Sequence, residues 1–532
     1  MTELYFGGTI LTMEPGPAPG AVLTDGGRIV AVGDPEALRP RAEKCVDLAG
    51  GTLLPAFLDP HSHITAVAST LNLAQLGADT SFDQLCGTLQ AFRDGRRLPA
   101  GAWVVGSGYD HNILAEGCHP TRQVLDGALP HNPCIIAHAS GHMAVANSAA
   151  LRAMGITADT PDPEGGKIGR EADGKTPSGY LEESAFIRLA AGAIPQPGPE
   201  QALGALLAAQ DLYLSQGYIL AQDGMTGQSQ FDLLKAGGEA GLTLDVVGYA
   251  DMKAAPALAD EPPVGGFSMG GYKIFLDGSP QGRTAWMLAP YRGEDPDYCG
   301  YPVYTDGEVT AFIRKAVGEK RQLLCHCNGD AAAEQYLRCY EKAGGGTVAD
   351  DLRPVMIHAQ LVRREQLARM GAIGMMPSFF AAHIWYWGDI HVKNFGPGRA
   401  AEISPLRWAA DLGLPFTMHQ DSPVIPPNAL ESVWCAVNRV TRQGAVLGPE
   451  LKLSPLEALR AFTVNAAYQY HMEGDRGSIA PGKRADFVLL DADPTSVAPM
   501  EIRNIKVLET IKDGVSVYRA QDGGKARDTV GG

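Results

Sequence analysis

The chain has 532 residues, 45% of them hydrophobic and 20% charged, with a formal net charge of −16. That length exceeds one small core and calls for two domains, or for one large barrel with a satellite. The acidic balance argues against nucleic acid or an anionic membrane as the main partner, and it does not select a substrate.

The opening residues, MTELYFGGTILTMEP, carry Glu3 and no basic residue ahead of the first apolar run, so they do not read as a secretory signal. No uninterrupted apolar stretch approaches the length of a membrane span. The nine cysteines are scattered, and Cys325 and Cys327 flank His326 too tightly for a disulfide framework. Reduced thiols in a cytoplasmic protein are the economical expectation.

In chain order, residues 1–52 alternate short apolar runs with Gly and Pro breaks, as short strands and turns do. The same texture returns at Arg484 to Asp491, Ile505 to Lys512 and Val515 to Arg519. The expectation is one small β-sandwich domain assembled from both termini, one segment of it at 1–57 and the other, ending in a loose tail, at 477–532. Between them, at 58–476, strand-like runs alternate with Ala/Leu-rich helical segments, which favours a parallel (β/α)8 TIM-like barrel of the α/β class. The strand candidates are Trp103 to Gly106, Cys134 to His138, Tyr218 to Gln222, Leu242 to Tyr249, Gly271 to Leu276, Gln322 to His326, Val355 to His358, Ile373 to Met376 and Pro415 to His419. Residues 66–200, rich in Gly and Pro, read as an insertion near the barrel mouth.

The chemistry concentrates at strand ends. Leu53 to Ile64 reads LLPAFLDPHSHI, an apolar run followed by His61 and His63. Residues two apart in an extended chain project to one side, so the two imidazoles can converge on one point. The bland alternative is a polar turn with solvated histidines. Lys273 sits inside an otherwise apolar run, where an ammonium must neutralise or find an anion; pairing with a carboxylate would equally satisfy it. His326, His358 and Asp421 each close a later strand candidate. A lone strand-end histidine is usually structural, but together His61, His63, His326, His358 and Asp421 form a nitrogen and oxygen donor set suited to zinc or a related divalent ion.

The motif PAFLDPHSH, the lysine run, the two later histidines and the final aspartate, in that order, resemble the amidohydrolase superfamily. The finer pattern is similar to its amidohydrolase-3 branch, which includes YtcJ-like proteins and N-substituted formamide deformylase. Supporting stretches are GHMAVANSAAL (141–151), SGYLEESA (178–185), YKIFLDGSPQGRTA (272–285), HCNGDAA (326–332), HAQLV (358–362), HQDSPV (419–424) and GSIAPGKRADFVLLD (477–491). The resemblance implies that His61 and His63 hold the more buried metal and that Lys273 takes the place of a carboxylated lysine bridging two metals. His326 and His358 would bind a second metal or hold substrate, and Asp421 would be the general base and a further ligand. The implied cofactor is a divalent metal, zinc first, as one or two ions. The implied reaction is hydrolysis of a non-peptide C–N bond in a small amide, N-substituted formamide or cyclic amide by a metal-activated hydroxide. An esterase, lactonase or decarboxylase on the same metal site is the alternative, and a non-catalytic scaffold on the barrel is the remaining one. The partner is then a small molecule, and a homodimer is left open.

Three features go beyond the pattern. Ala56 replaces the usual glycine of the opening motif. His419 stands two residues before Asp421, where a third imidazole could face the pocket. The segment Ser378 to His391 adds His383, Trp385, Trp387, Asp389 and His391 as a substrate wall or an aromatic packing loop. With Phe379, Phe380 and Trp286, these aromatics suggest an apolar substituent on the substrate. His142 and Glu183 lie in motifs of the branch and are candidate substrate contacts; a core histidine and a helix cap are their plainer readings.

Overall fold

The computed structural model describes every residue except 112, 139–142, 187–192, 195–196, 294, 345–349, 521–527 and 530–532. The chain forms two compact units, Met1–Val67 with Leu206–Gly532, and Ala68–Ala205.

The larger unit contains an eight-stranded sheet whose strands follow one another in space as in sequence. These are β1 (Phe57–Leu58), β2 (Tyr218–Thr226), β3 (Asp245–Asp251), β4 (Phe267–Phe275), β5 (Gln322–Cys327), β6 (Val355–His358), β7 (Met376–Phe379) and β8 (Thr417–Met418). All neighbouring pairs are parallel. β6 is buried along its whole length, which is why it reads as a short continuous apolar run rather than an alternating one. The ends of the sheet meet: the His63 amide donates to Ser422 O at 2.8 Å, and Tyr218 Oη donates to Gln420 Oε1 at 2.9 Å. The sheet therefore curls into the expected α/β TIM-like barrel. Its helices start on local signals; Asp306–Gly318 opens with a Thr305/Glu308 capping box and buries Val309, Ile313 and Ala316 along one face.

Two five-stranded sheets draw on both termini. In one of them Thr52–Pro55 pairs in parallel with Thr9–Ile10 and antiparallel with Phe487–Leu490. Tyr5, Ile10, Val22, Leu53, Phe487 and Ile511 share one buried cluster, so residues from opposite ends of the chain fill a common core. From Pro55 the chain passes through the buried Ala56 directly into β1.

The Ala68–Ala205 unit holds a six-stranded sheet, in spatial order Gly166–Arg170, Pro177–Glu183, Met143–Ala146, Cys134–His138, Val104–Tyr109 and Ala74–Gln75. Leu85, Leu89, Val104, Leu125, Ile136 and Val145 make its core. The runs at 103–106 and 134–138, expected among the barrel strands, pair instead with each other. An apolar run encodes a buried strand but not the strand it will join. Two further expectations shift. The strand sought at 373–376 begins at Met376, because Gly374 turns at φ 69°. The aromatic segment becomes a helix, His383–Ala401, interrupted at Gly396. Among the described residues no helix is long and apolar enough to cross a membrane.

Candidate metal centre

Every ionisable group singled out in the barrel emerges at a C-terminal strand end, where loops of this fold place chemistry. His61 and His63 follow β1, Lys273 lies near the end of β4, His326 is in β5, His358 ends β6 and Asp421 follows β8. Asp421 Oδ1 lies 3.3 Å from His61 Nε2 and 3.3 Å from His63 Nε2, and Oδ2 lies 3.9 Å from His358 Nε2. Lys273 Nζ is 3.0 Å from His61 Nε2. His358 at φ 73° and Asp421 at φ 54° both occupy the left-handed region. For non-glycine residues that conformation costs about 1–3 kcal/mol and persists only where the surroundings enforce it.

The neighbours of these groups settle their proton positions. Gln222 Nε2 donates to Pro60 O at 2.8 Å and to Tyr470 Oη at 2.9 Å. Its Oε1 must then accept from His61 Nδ1, 2.6 Å away. His61 is therefore protonated at Nδ1, and its Nε2 lone pair faces the Asp421 carboxylate. An ammonium at Lys273 Nζ meets the His61 lone pair, but Asp421 Oδ1 is buried without a hydrogen-bond partner, a place that a bound cation would fill. Donors bound to one zinc ion in a tetrahedron stand roughly 3.4 Å apart, close to the spacing seen. The residues present thus fit a divalent metal, and His61, His358 and Asp421 have the spacing to share one.

A second row of imidazoles adjoins them. Asn328 Nδ2 donates to Gly278 O at 2.8 Å, which fixes its amide so that it also donates to His326 Nε2 at 2.9 Å. The order then propagates: His326 Nδ1 donates to His358 Nε2 at 2.9 Å, His358 Nδ1 to His419 Nε2 at 3.1 Å, and His419 Nδ1 to Ser378 Oγ at 2.8 Å. All three rings are neutral in this arrangement. Burial agrees. Burial first, then the Lys273 charge, lowers His61 to about 3 and His326 to about 4. Burial and neighbouring imidazoles hold His358 and His419 well below their ordinary value. Burial also lowers Lys273 to about 8, against the pull of Asp421.

The structure thus brings together His61, His63, Lys273, His326, His358, His419 and Asp421. His383 is buried beside them through Phe380, whose ring lies 4.5 Å from His383 and 5.3 Å from His419. Trp385 packs 5.2 Å from Trp434 with the Arg503 guanidinium 4.8 Å above its ring, the packing alternative for that residue. Glu183 ends a strand of the Ala68–Ala205 unit at φ 49°, and His142 lies outside the described residues. Sequence reasoning missed Gln222, Ser378, Asn328 and Gly224. A Cβ at Gly224 would collide with the His61 ring, so glycine is what lets the imidazole lie there. A glutamine inside a buried strand was the one available signal, since such a group must find partners.

Comparison with known proteins accords with this geometry. A model of the amidohydrolase family matches residues 44–518, and an imidazolonepropionase-like composite domain of bacteria matches residues 20–42. The chain is 30% identical over 526 residues to N-substituted formamide deformylase of Arthrobacter pascens, covering 94% of each chain. It is 28% identical over 542 residues to the putative amidohydrolase YtcJ of Bacillus subtilis (strain 168), covering 97% of this chain and 99% of that one. Among solved structures, an uncharacterized metal-dependent hydrolase from Pyrococcus furiosus matches with a TM-score of 0.74 and 25% identity, over 93% of this chain and 100% of that one. A hydrolytic enzyme on a metal-dependent barrel, this chain belongs to the amidohydrolase family.

Proposed function

We propose that the chain hydrolyses a non-peptide C–N bond in a small amide, N-substituted formamide or cyclic amide, with zinc held by His61, His63 and Asp421 and assisted by Lys273. The observation that carries the reading is the buried Asp421 oxygen that faces His61 and His63 at 3.3 Å without a hydrogen bond. The likeness to N-substituted formamide deformylase supports the choice of bond.

When bound, a divalent ion would supply Lewis acidity, making water a nucleophile near neutral pH. The protein's own groups do the rest. Asp421 accepts the proton of the attacking water and returns it to the leaving nitrogen. Its left-handed backbone aims the carboxylate inward, and Gln222 fixes the tautomer of His61 on the opposite side. His326 and His358 would hold a second ion or orient the carbonyl, and His358 also lies within reach of an ion shared by His61 and Asp421. Lys273, with its free amine favoured by burial, can attack carbon dioxide through Nζ and lose a proton to become a carbamate. Phe380, His383 and His419 line an apolar, uncharged side suited to a hydrophobic N-substituent.

The test is chelation followed by add-back of zinc, cobalt or manganese, read on a panel of N-benzyl and N-alkyl formamides and amides. Activity is expected to vanish and return, with the bulky apolar members preferred. Full turnover in rigorously metal-free protein, or turnover only on esters, would sink the reading.

A further inference from the structure

A second histidine and aspartate cluster lies wholly within the Ala68–Ala205 unit. Asp110 and His111 directly follow the strand Val104–Tyr109, and His138 ends its parallel neighbour Cys134–His138. The two strands run in step from Cys134 opposite Val104 to Ala137 opposite Ser107; the register then jumps, and His138 faces Tyr109. A bulge of this kind re-aims the side chain beyond it. Here it carries His138 Nε2 to 3.1 Å from His111 Nδ1 and 3.4 Å from Asp110 Oδ1. His111 Nδ1 is 3.8 Å from the same carboxylate oxygen.

His138 Nε2 lies within hydrogen-bonding reach of both His111 and Asp110, and the same three atoms are spaced as metal donors are. The three atoms form a triangle with sides of 3.1, 3.4 and 3.8 Å, near the roughly 3.4 Å edge set by donors around one zinc ion. The cluster is also held in place. The His119 ring stacks on His111 at 4.1 Å between centroids, and Tyr109 Oη is 2.9 Å from His119 Nδ1. His138 is 7% exposed, while Asp110 and His111 are 29% and 28% exposed.

We propose that Asp110 Oδ1, His111 Nδ1 and His138 Nε2 form a second divalent-metal site, built from none of the barrel residues. Two imidazoles and a carboxylate suit zinc-class ions rather than calcium or magnesium, which favour all-oxygen shells.

Metal-freed full-length protein, titrated with Co2+ and counted by elemental analysis after gel filtration, tests this. His111→Ala and Asp110→Asn are each expected to bind one equivalent fewer per chain than the parent. A His61→Ala/His63→Ala variant, damaged only in the barrel, is expected to keep that equivalent and its visible cobalt spectrum. Circular dichroism establishes that each variant is folded, and the barrel variant supplies a reading that does not depend on altering the smaller unit. Unchanged stoichiometry in both His111→Ala and Asp110→Asn, or no Co2+ bound by the barrel variant, overturns the site. Because the readout is metal count rather than turnover, the outcome is separate from the fate of the proposed reaction.

Discussion

The barrel centre and the cluster in the Ala68–Ala205 unit share one construction. Each gathers two imidazoles and a carboxylate from the C-terminal ends of parallel strands, with nearest oxygen-to-nitrogen gaps of 3.3 and 3.4 Å. They differ in what surrounds the donors. In the barrel the side chains of His61 and His358 are 1% and 4% exposed, and Gln222 fixes which nitrogen of His61 carries the proton. In the smaller unit His111 and Asp110 are about a quarter open to water. Donor spacing alone is therefore compatible with either a reactive or a merely occupied site; desolvation and fixed tautomers are what raise the electrostatic leverage of the barrel group.

If that contrast is correct, the largest effect comes from Asp421→Asn, which removes the base and leaves the neighbouring imidazoles. Turnover is expected to fall by roughly a hundredfold or more while metal is retained; near-normal kcat on the best amide would place the base elsewhere. Next is Gln222→Leu. Without the acceptor that holds the Nδ1 proton, metal affinity at the barrel should drop about 10–100-fold, measured by competition with a chromophoric chelator, and an unchanged Kd would mean that the tautomer matters little. Ser378→Ala is smaller. It leaves the buried His419 N–H without its acceptor at a cost of about 1–3 kcal/mol, visible as a lower Tm in metal-free protein. The mildest effect is one of rate: on exposure to chelator, the equivalent that His111→Ala lacks should leave first, followed by the barrel metal. Loss in the opposite order would contradict the role given to burial.

The residues gathered at the barrel centre were legible as a group because the cues to them are local. His61 and His63 share a side of an extended segment, and His326 and His358 close short apolar runs that read as buried strands. Gln222 was not legible, because its role arises from pairing with a histidine 161 positions away, and nothing near it in the chain announces that partner. Gly224 shows the same limit in steric form: its value is the absence of a side chain under the His61 ring. The runs at 103–106 and 134–138 were recognisable as buried strands, yet their sheet was not, since partner choice depends on the whole unit. The aromatic segment, read as a substrate wall or a packing loop, is largely a helix, because its aromatic residues masked any helical period.

The strand Thr52–Pro55 lies between partners that the ribosome makes at opposite ends of synthesis, and it leads directly into the first barrel strand. The lead-in to His61 and His63 is thus secured by Phe487–Leu490, which emerges more than four hundred residues later. Such long-range pairing delays the final ordering of the metal centre until the chain is nearly complete. A product truncated before Phe487 would carry all of the candidate barrel residues yet leave the strand ahead of His61 and His63 without its antiparallel neighbour.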